Sequence, residues 1–193
     1  MLRISQRTLT KGDLIEPNKV ELKTERLILR PVEQNDAMAI FRYRSDAETN
    51  KYQGWIPKTI DDLGSFLKRI SPEINVADTW FQFVIIYGES SEIIGDLGIH
   101  FLDNEQAELG CTLKKSQHGK GYASEALKAV IDYLFTKLNK HRIIGSIDPR
   151  NTKSIKLLEG LGFRKEAHFK ESLLINGAWH DDVVYAMLKK EWL

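Results

Sequence analysis

Cysteine is almost missing from this sequence of 193 residues: Cys111 stands alone. That excludes an internal disulfide and any zinc site built from several cysteines, and it fits a reducing compartment. Long apolar runs are missing too. Unbroken apolar runs such as 83–87 fall far short of the roughly 18–20 residues that cross a bilayer. Residues 1–19 hold no apolar stretch fit for a signal-peptide core, and Asp13 and Glu16 argue against a transit peptide, so a cytoplasmic protein is expected. Neither sign of charge dominates, since 28 Lys and Arg face 27 Asp and Glu for a formal net charge of +1. Non-specific nucleic-acid binding needs a surplus of basic residues and membrane-surface binding a basic amphipathic face, so neither partner is expected. The histidines at 100, 118, 141, 168 and 180 show no metal-ligand spacing, and no metal is expected. What remains is a globular composition, 42% hydrophobic and 28% charged, in a chain long enough to bury a sizeable core.

No internal repeat and no Pro/Gly/Ser-rich linker divides the chain, which predicts an N-terminal extension over 1–19 and one domain over 20–193. Residues 20–32 read as a strand stopped by Pro31, with Leu27 and Leu29 on one face. Asp36 is positioned to cap a helix through Arg44. A loop carrying Tyr52, Trp55 and Pro57 follows, then a second helix from Thr59, with Asp61 and Asp62 in its first turn, to about Ile70. Three strand-like segments, 80–87, 92–102 and 107–113, are separated by hairpin-type breaks and predict an antiparallel meander. The apolar period then lengthens: Ala123, Ala126, Leu127, Val130, Ile131, Leu134 and Leu138 fall on one helical stripe. A short strand over 142–147, a helix over 151–161 ended by Gly162, and strands 169–175 and 182–188 around an Asn176-Gly177 turn complete the order. The fold class is α/β, a single domain with a mixed, mainly antiparallel sheet flanked by helices.

The chemistry concentrates where a strand runs through Gly119 and Gly121 into the long helix. Two glycines let backbone approach a ligand closely, and a helix start offers unpaired N–H groups with partial positive charge, an anion site suited to a pyrophosphate. On spacing alone, a turn that merely uses glycine fits as well. The stretch lacks the GK[ST] ending of a P-loop, and GxGxxG is absent.

His118-Gly119-Lys120-Gly121-Tyr122-Ala123 resembles the acetyl-CoA loop of the GNAT superfamily of N-acetyltransferases, Q/R-x-x-G-x-G/A. Asn151-Thr152-Lys153-Ser154 through Leu158-Glu159-Gly160-Leu161-Gly162-Phe163 is similar to its second signature, N-x-x-S-x-x-L-x-x-x-G-F. The opening Leu22-Lys23-Thr24-Glu25-Arg26-Leu27 to Pro31 and the closing Asn176-Gly177-Ala178-Trp179 to Tyr185 resemble the RimJ/RimL-like branch, which contains N-terminal acetyltransferases of ribosomal proteins. The sequence departs from the pattern at His118, where Gln or Arg is usual. It departs again at Leu173, where some relatives place a catalytic carboxylate; Glu171, two residues away on the same expected strand face, is then a candidate.

The resemblance implies a GNAT-like fold and acetyl-CoA as cosubstrate. Thr112 and Leu113 would pair with the pantetheine arm as with an added strand. The amides of His118, Gly119, Lys120, Gly121, Tyr122 and Ala123 would take the pyrophosphate, helped by Ser124. Asn151 would cap its helix and contact the arm, and Lys120, Lys153 and Lys156 would assist at the 3′-phosphate end. The strands flanking the long helix would splay, leaving the Leu113 N–H for the tetrahedral oxyanion.

Acetyl transfer needs a neutral amine, and amines near pKa ~8 or ~10.4 need a base or a water path at neutral pH. Glu108, sharing a strand face with Gly110 and Thr112, is the candidate base; a solvent-facing carboxylate is the plain alternative. Ser154 matches the position from which relatives protonate the departing sulfur. Cys111 points to the face opposite Glu108 and is read as buried, not as a covalent nucleophile. Tyr52, Trp55 and Trp80 are the candidate acceptor-binding residues. The expected reaction is direct attack by a primary amine in a ternary complex, the amine most readily a protein or peptide N-terminus. A small-molecule acceptor (aminoglycoside, polyamine or amino acid) and a CoA-binding module without turnover are the alternatives. A homodimer is expected only because relatives often form one.

Overall fold

The computed structural model describes residues 20–175 and 177–193. The extension over 1–19 and Asn176 of the expected Asn176-Gly177 turn lie outside the described residues. The described chain forms an eight-stranded sheet in the order β1-β2-β3-β4-β5-β6-β8-β7. Its strands are β1 (Leu22–Lys23), β2 (Leu27–Pro31), β3 (Thr79–Tyr87), β4 (Glu92–Phe101), β5 (Gln106–Leu113), β6 (Arg142–Ile147), β7 (Arg164–Ile175) and β8 (Ala178–Leu188). Every neighbouring pair is antiparallel except β5 with β6, the two strands joined through helix α3 (Tyr122–Thr136).

The α3 stripe is the one its period predicts. Ala126, Leu127, Val130, Ile131 and Leu134, with Phe135, are buried against β-strand residues such as Leu29, Leu97, Ile99 and Ile143. Each large aliphatic side chain so buried contributes about 1.5–3 kcal/mol. Helix α4 (Thr152–Gly160) covers β6 on the same face through Leu158. On the other face α1 (Ala37–Arg44) and α2 (Ile60–Leu67) pack Ile40, Tyr43, Leu63 and Leu67 on Val84. A last helix, α5 (Lys189–Trp192), has no counterpart in the sequence reading.

Several expected elements differ in extent. The single strand expected over 20–32 is a hairpin, because Thr24 Oγ1 accepts from the Leu27 N–H at 2.9 Å and folds the chain so that Leu22 pairs with Leu29. Asp36 does not cap α1 through its side chain; its carboxylate takes two bonds from the Arg30 guanidinium, 2.7 and 2.8 Å, and the Glu33 N–H. Thr59 does cap α2, in a reciprocal box with Asp62, and that helix ends at Leu67.

Glu171 does not sit in the regular alternation its candidacy assumed. The β7·β8 register breaks between Phe169 and Leu173, and Glu171 takes a left-handed φ of 44° while its N–H donates to Asp181 Oδ1. The bulge follows from Asp181 gathering the Lys170 ammonium, the His168 ring and that N–H around one carboxylate.

Candidate active site

The parallel pairing of β5 with β6 lasts for Gln106, Ala107 and Glu108 opposite Arg142, Ile143 and Ile144, and then stops. Beyond it the strands part, and the opening continues into a cavity of about 690 Å³. Its three walls are the freed end of β5, the start of α3 and the start of α4, with the α1–α2 loop over it.

Each wall presents backbone that secondary structure leaves unpaired. On β5 the Lys114 N–H goes to the Ile94 carbonyl at 2.9 Å, so alternation aims the Leu113 N–H and C=O away from β4, into the opening. His118 Nε2 already holds the Leu113 carbonyl at 3.0 Å; a carbonyl only accepts, so Nε2 carries the proton. At α3 the first helical bond is Glu125 N–H to the Gly121 carbonyl, 3.0 Å. The N–H groups of Tyr122, Ala123 and Ser124 therefore have no helical partner, and all three residues line the cavity. Gly119 and Gly121 reach that position with φ of 76° and 84°, which L side chains rarely adopt. At α4 the Asn151 Oδ1 accepts the Ser154 N–H at 3.2 Å, capping the helix with Asn151, Lys153 and Ser154 all on the cavity wall. Among the described residues the Ser154 hydroxyl makes no hydrogen bond.

Thr112, Leu113, His118, Gly119 and Tyr52 also line the cavity, whereas Lys120, Glu108, Trp55 and Trp80 do not. The Lys120 carbonyl is held from outside by Arg26 Nη1 at 3.1 Å, and its ammonium by Gln117. Trp55 stacks on Phe66 of α2, centroids 5.1 Å apart, which anchors the loop instead of lining the opening. Trp80 lies flat on His100, centroids 4.8 Å apart and 7° from parallel. Sheet register explains this: Trp80, His100, Glu108 and Ile144 face one another across four strands in a single row. In that row His100 Nδ1 lies 3.8 Å from Glu108 Oε2. Burial pushes the Glu108 carboxyl above the usual range; His100 opposes this and the nearby Asp182 charge adds to it.

Some residues at the site escaped sequence reasoning. Asp182 is buried and accepts the Ser146 hydroxyl at 2.8 Å on the Glu108 face. Arg150, paired with Asp148 and 2.9 Å from His180 Nδ1, lines the cavity opposite Tyr52, and Gln53 donates to Thr112 Oγ1 at 3.2 Å. None has a local signal, because each is brought in by pairing between segments far apart in sequence. Cys111 also touches the cavity, but burial pushes its thiol up to about 12, which removes the thiolate a covalent route needs.

Residues 26–164, which carry the splayed parallel pair, the free amides at the helix start and the hydroxyl on the facing helix, match the family model of an acetyltransferase (GNAT) domain. The chain belongs to the GNAT acetyltransferases. It is similar to the uncharacterized N-acetyltransferase p20 of Bacillus licheniformis, 38% identical over 89% of this chain and 97% of that one. A [ribosomal protein uS5]-alanine N-acetyltransferase of Escherichia coli is 30% identical over 90% of this chain and 93% of its own. Among solved structures, a GNAT-family acetyltransferase from Bacillus anthracis superposes with a TM-score of 0.81 at 30% identity, covering 89% and 100% of the two chains. A spermidine N-acetyltransferase from Vibrio cholerae, in complex with CoA and spermine, does so with 0.75 at 25%, covering 88% and 99%. The enzyme is thus an N-acetyltransferase, and acetyltransferases of this fold use acetyl-CoA. No helix among the described residues is long and apolar enough to cross a membrane.

Proposed function

We propose that the enzyme transfers acetyl from acetyl-CoA to the α-amine of a protein or peptide N-terminus by direct attack in a ternary complex. The observation that carries the reading is the order of groups along one cavity: freed β5 backbone for the pantetheine arm, α3 amides for the pyrophosphate, and the Ser154 hydroxyl near the sulfur end. In this cavity the amine nitrogen attacks the thioester carbon, and the Leu113 N–H stabilises the oxyanion. The C–S bond then breaks and Ser154 protonates the departing thiolate, recovering its proton from solvent. The proton leaving the amine goes to Glu108. Because Glu108 does not line the cavity, its route to the amine runs through an ordered water.

A peptide acceptor is favoured over a polyamine by the charge of the cavity lining. Glu48 stands there against Lys51, Lys115, Arg150 and Lys153, an arrangement with no acidic excess to draw a chain of several ammonium groups. The similarity to the uS5-alanine acetyltransferase supports the same choice. The test is thiol release from acetyl-CoA with a panel holding alanine-initiated peptides, spermidine, aminoglycosides and amino acids. Peptide turnover well above the rest is expected; preference for spermidine overturns the acceptor assignment, and CoA binding with no turnover on any amine overturns the proposed transfer.

A further inference from the structure

The turn between β1 and β2 sends a side chain to the back of the anion loop. Arg26 Nε donates to Glu125 Oε2 at 2.7 Å and its Nη2 lies 2.6 Å from the same oxygen. The Arg26 N–H and the Thr24 hydroxyl donate to Glu125 Oε1 at 2.9 and 2.5 Å. The other arm, Nη1, donates to the Lys120 carbonyl at 3.1 Å, and the guanidinium lies over the Tyr122 ring, 4.6 Å from its centre.

The Lys120 carbonyl and the Gly121 N–H belong to one planar trans peptide and point in opposite directions. A carbonyl drawn outward to Arg26 therefore turns the Gly121 N–H inward, and accordingly Gly121 lines the cavity while Lys120 does not. Without that bond the peptide is free to rotate, and its carbonyl could face an incoming phosphate. Glu125 poses a second problem, since it sets a carboxylate in the first turn of α3, close to where an anion is to bind. The ion pair with Arg26 cancels it.

We infer that Arg26 is a positioning residue for the pyrophosphate of CoA: it fixes the 120–121 peptide with its N–H towards the cavity and neutralises Glu125, without touching the cofactor. This rests on the reading of the cavity as the CoA site. The test compares two acyl donors, acetyl-CoA and S-acetylpantetheine, which keeps the thioester and the arm but has no pyrophosphate. In Arg26→Gln the KM for acetyl-CoA rises about 10-fold, the loss expected for one charge-assisted bond, while kcat and both constants for S-acetylpantetheine stay put. The ratio of kcat/KM between donors, which partial unfolding cannot alter, falls by the same factor. Arg26→Lys falls in between, because an ammonium keeps the charge facing Glu125 but cannot fork to the Lys120 carbonyl as well. An unchanged donor ratio in Arg26→Gln, or an equal loss with both donors, overturns the role of Arg26 alone. An unaltered enzyme that uses acetyl-CoA no better than S-acetylpantetheine overturns the pyrophosphate reading of the loop, and this inference with it.

Discussion

In the proposed mechanism two side chains divide the proton work, and their surroundings suit them to opposite halves of it. Ser154 keeps a free hydroxyl on the cavity wall, so Ser154→Ala is expected to lower kcat by about 100-fold, within the usual range for a lost acid or base, while CoA affinity measured by calorimetry stays the same; unchanged turnover removes the acid assignment. Glu108 is held above the ordinary carboxylate range by burial, and that has two readable effects. The ionised base is the working form, so kcat/KM rises with pH through the raised Glu108 value, and Glu108→Gln flattens that limb while cutting the rate. The same burial penalises the charge in the folded state. Stability that protonated Glu108 contributes is present below its unfolded value and lost as pH rises through the raised one. Glu108→Gln therefore raises Tm at pH 7 and leaves it nearly unaltered at about pH 4; an equal shift at both would show that ionisation is not the cause. Gly121 is constrained from two sides, by its φ of 84° and by Arg26 Nη2, 3.3 Å from where a Cβ would stand. Gly121→Asp adds strain and a negative charge against the pyrophosphate, and at least a 10-fold loss of CoA affinity is expected; unchanged affinity contradicts the loop assignment.

At the scale of elements, α1 is fastened to β4 by a buried ion pair, Arg44 with Asp96, in which Tyr43 and Gln82 also donate to the carboxylate. Asp96→Leu leaves Arg44 charged, buried and without its partner, a loss of about 3–5 kcal/mol, or roughly 10 °C in Tm for a chain of this size. Combining it with Arg44→Met restores most of that, and a urea titration of the three proteins decides the matter. Elements were legible in the sequence where their cause is local. The stripe of α3, the apolar run of β6 and the first-turn acids of α2, Asp61 and Asp62, lie within a few residues of what they specify, and the expectations match the structure. The β1–β2 hairpin was not legible, because the Thr24 turn is completed by Glu125 on α3. Nor was the first half of β7, whose exposed, charged residues carry no apolar alternation. The site divides in the same way. Its glycine loop and capping asparagine are local signals, but Trp80 belongs with His100 and Glu108 only through strand register, and Arg26 reaches Lys120 only through the folded hairpin.

For the whole molecule, a formal charge of +1 is compatible with the proposed site for a strongly anionic cofactor, because there the anion would be met by backbone at one helix start and not by a general field. The halted pairing of β5 and β6 has a further consequence. An eight-stranded sheet interrupted in the middle is an unfinished structure, and a pantetheine arm bonded along β5 would supply the absent ladder partner. Bound CoA should then behave as part of the fold. At 100 times its Kd a ligand of the native state adds about 2.7 kcal/mol, or about 5–10 °C in Tm, and the amides of 109–113 should show the largest slowing of hydrogen exchange. An enzyme built this way would tie its own survival to its cosubstrate: when CoA runs short it would lose a reactant and also become easier for proteases to open.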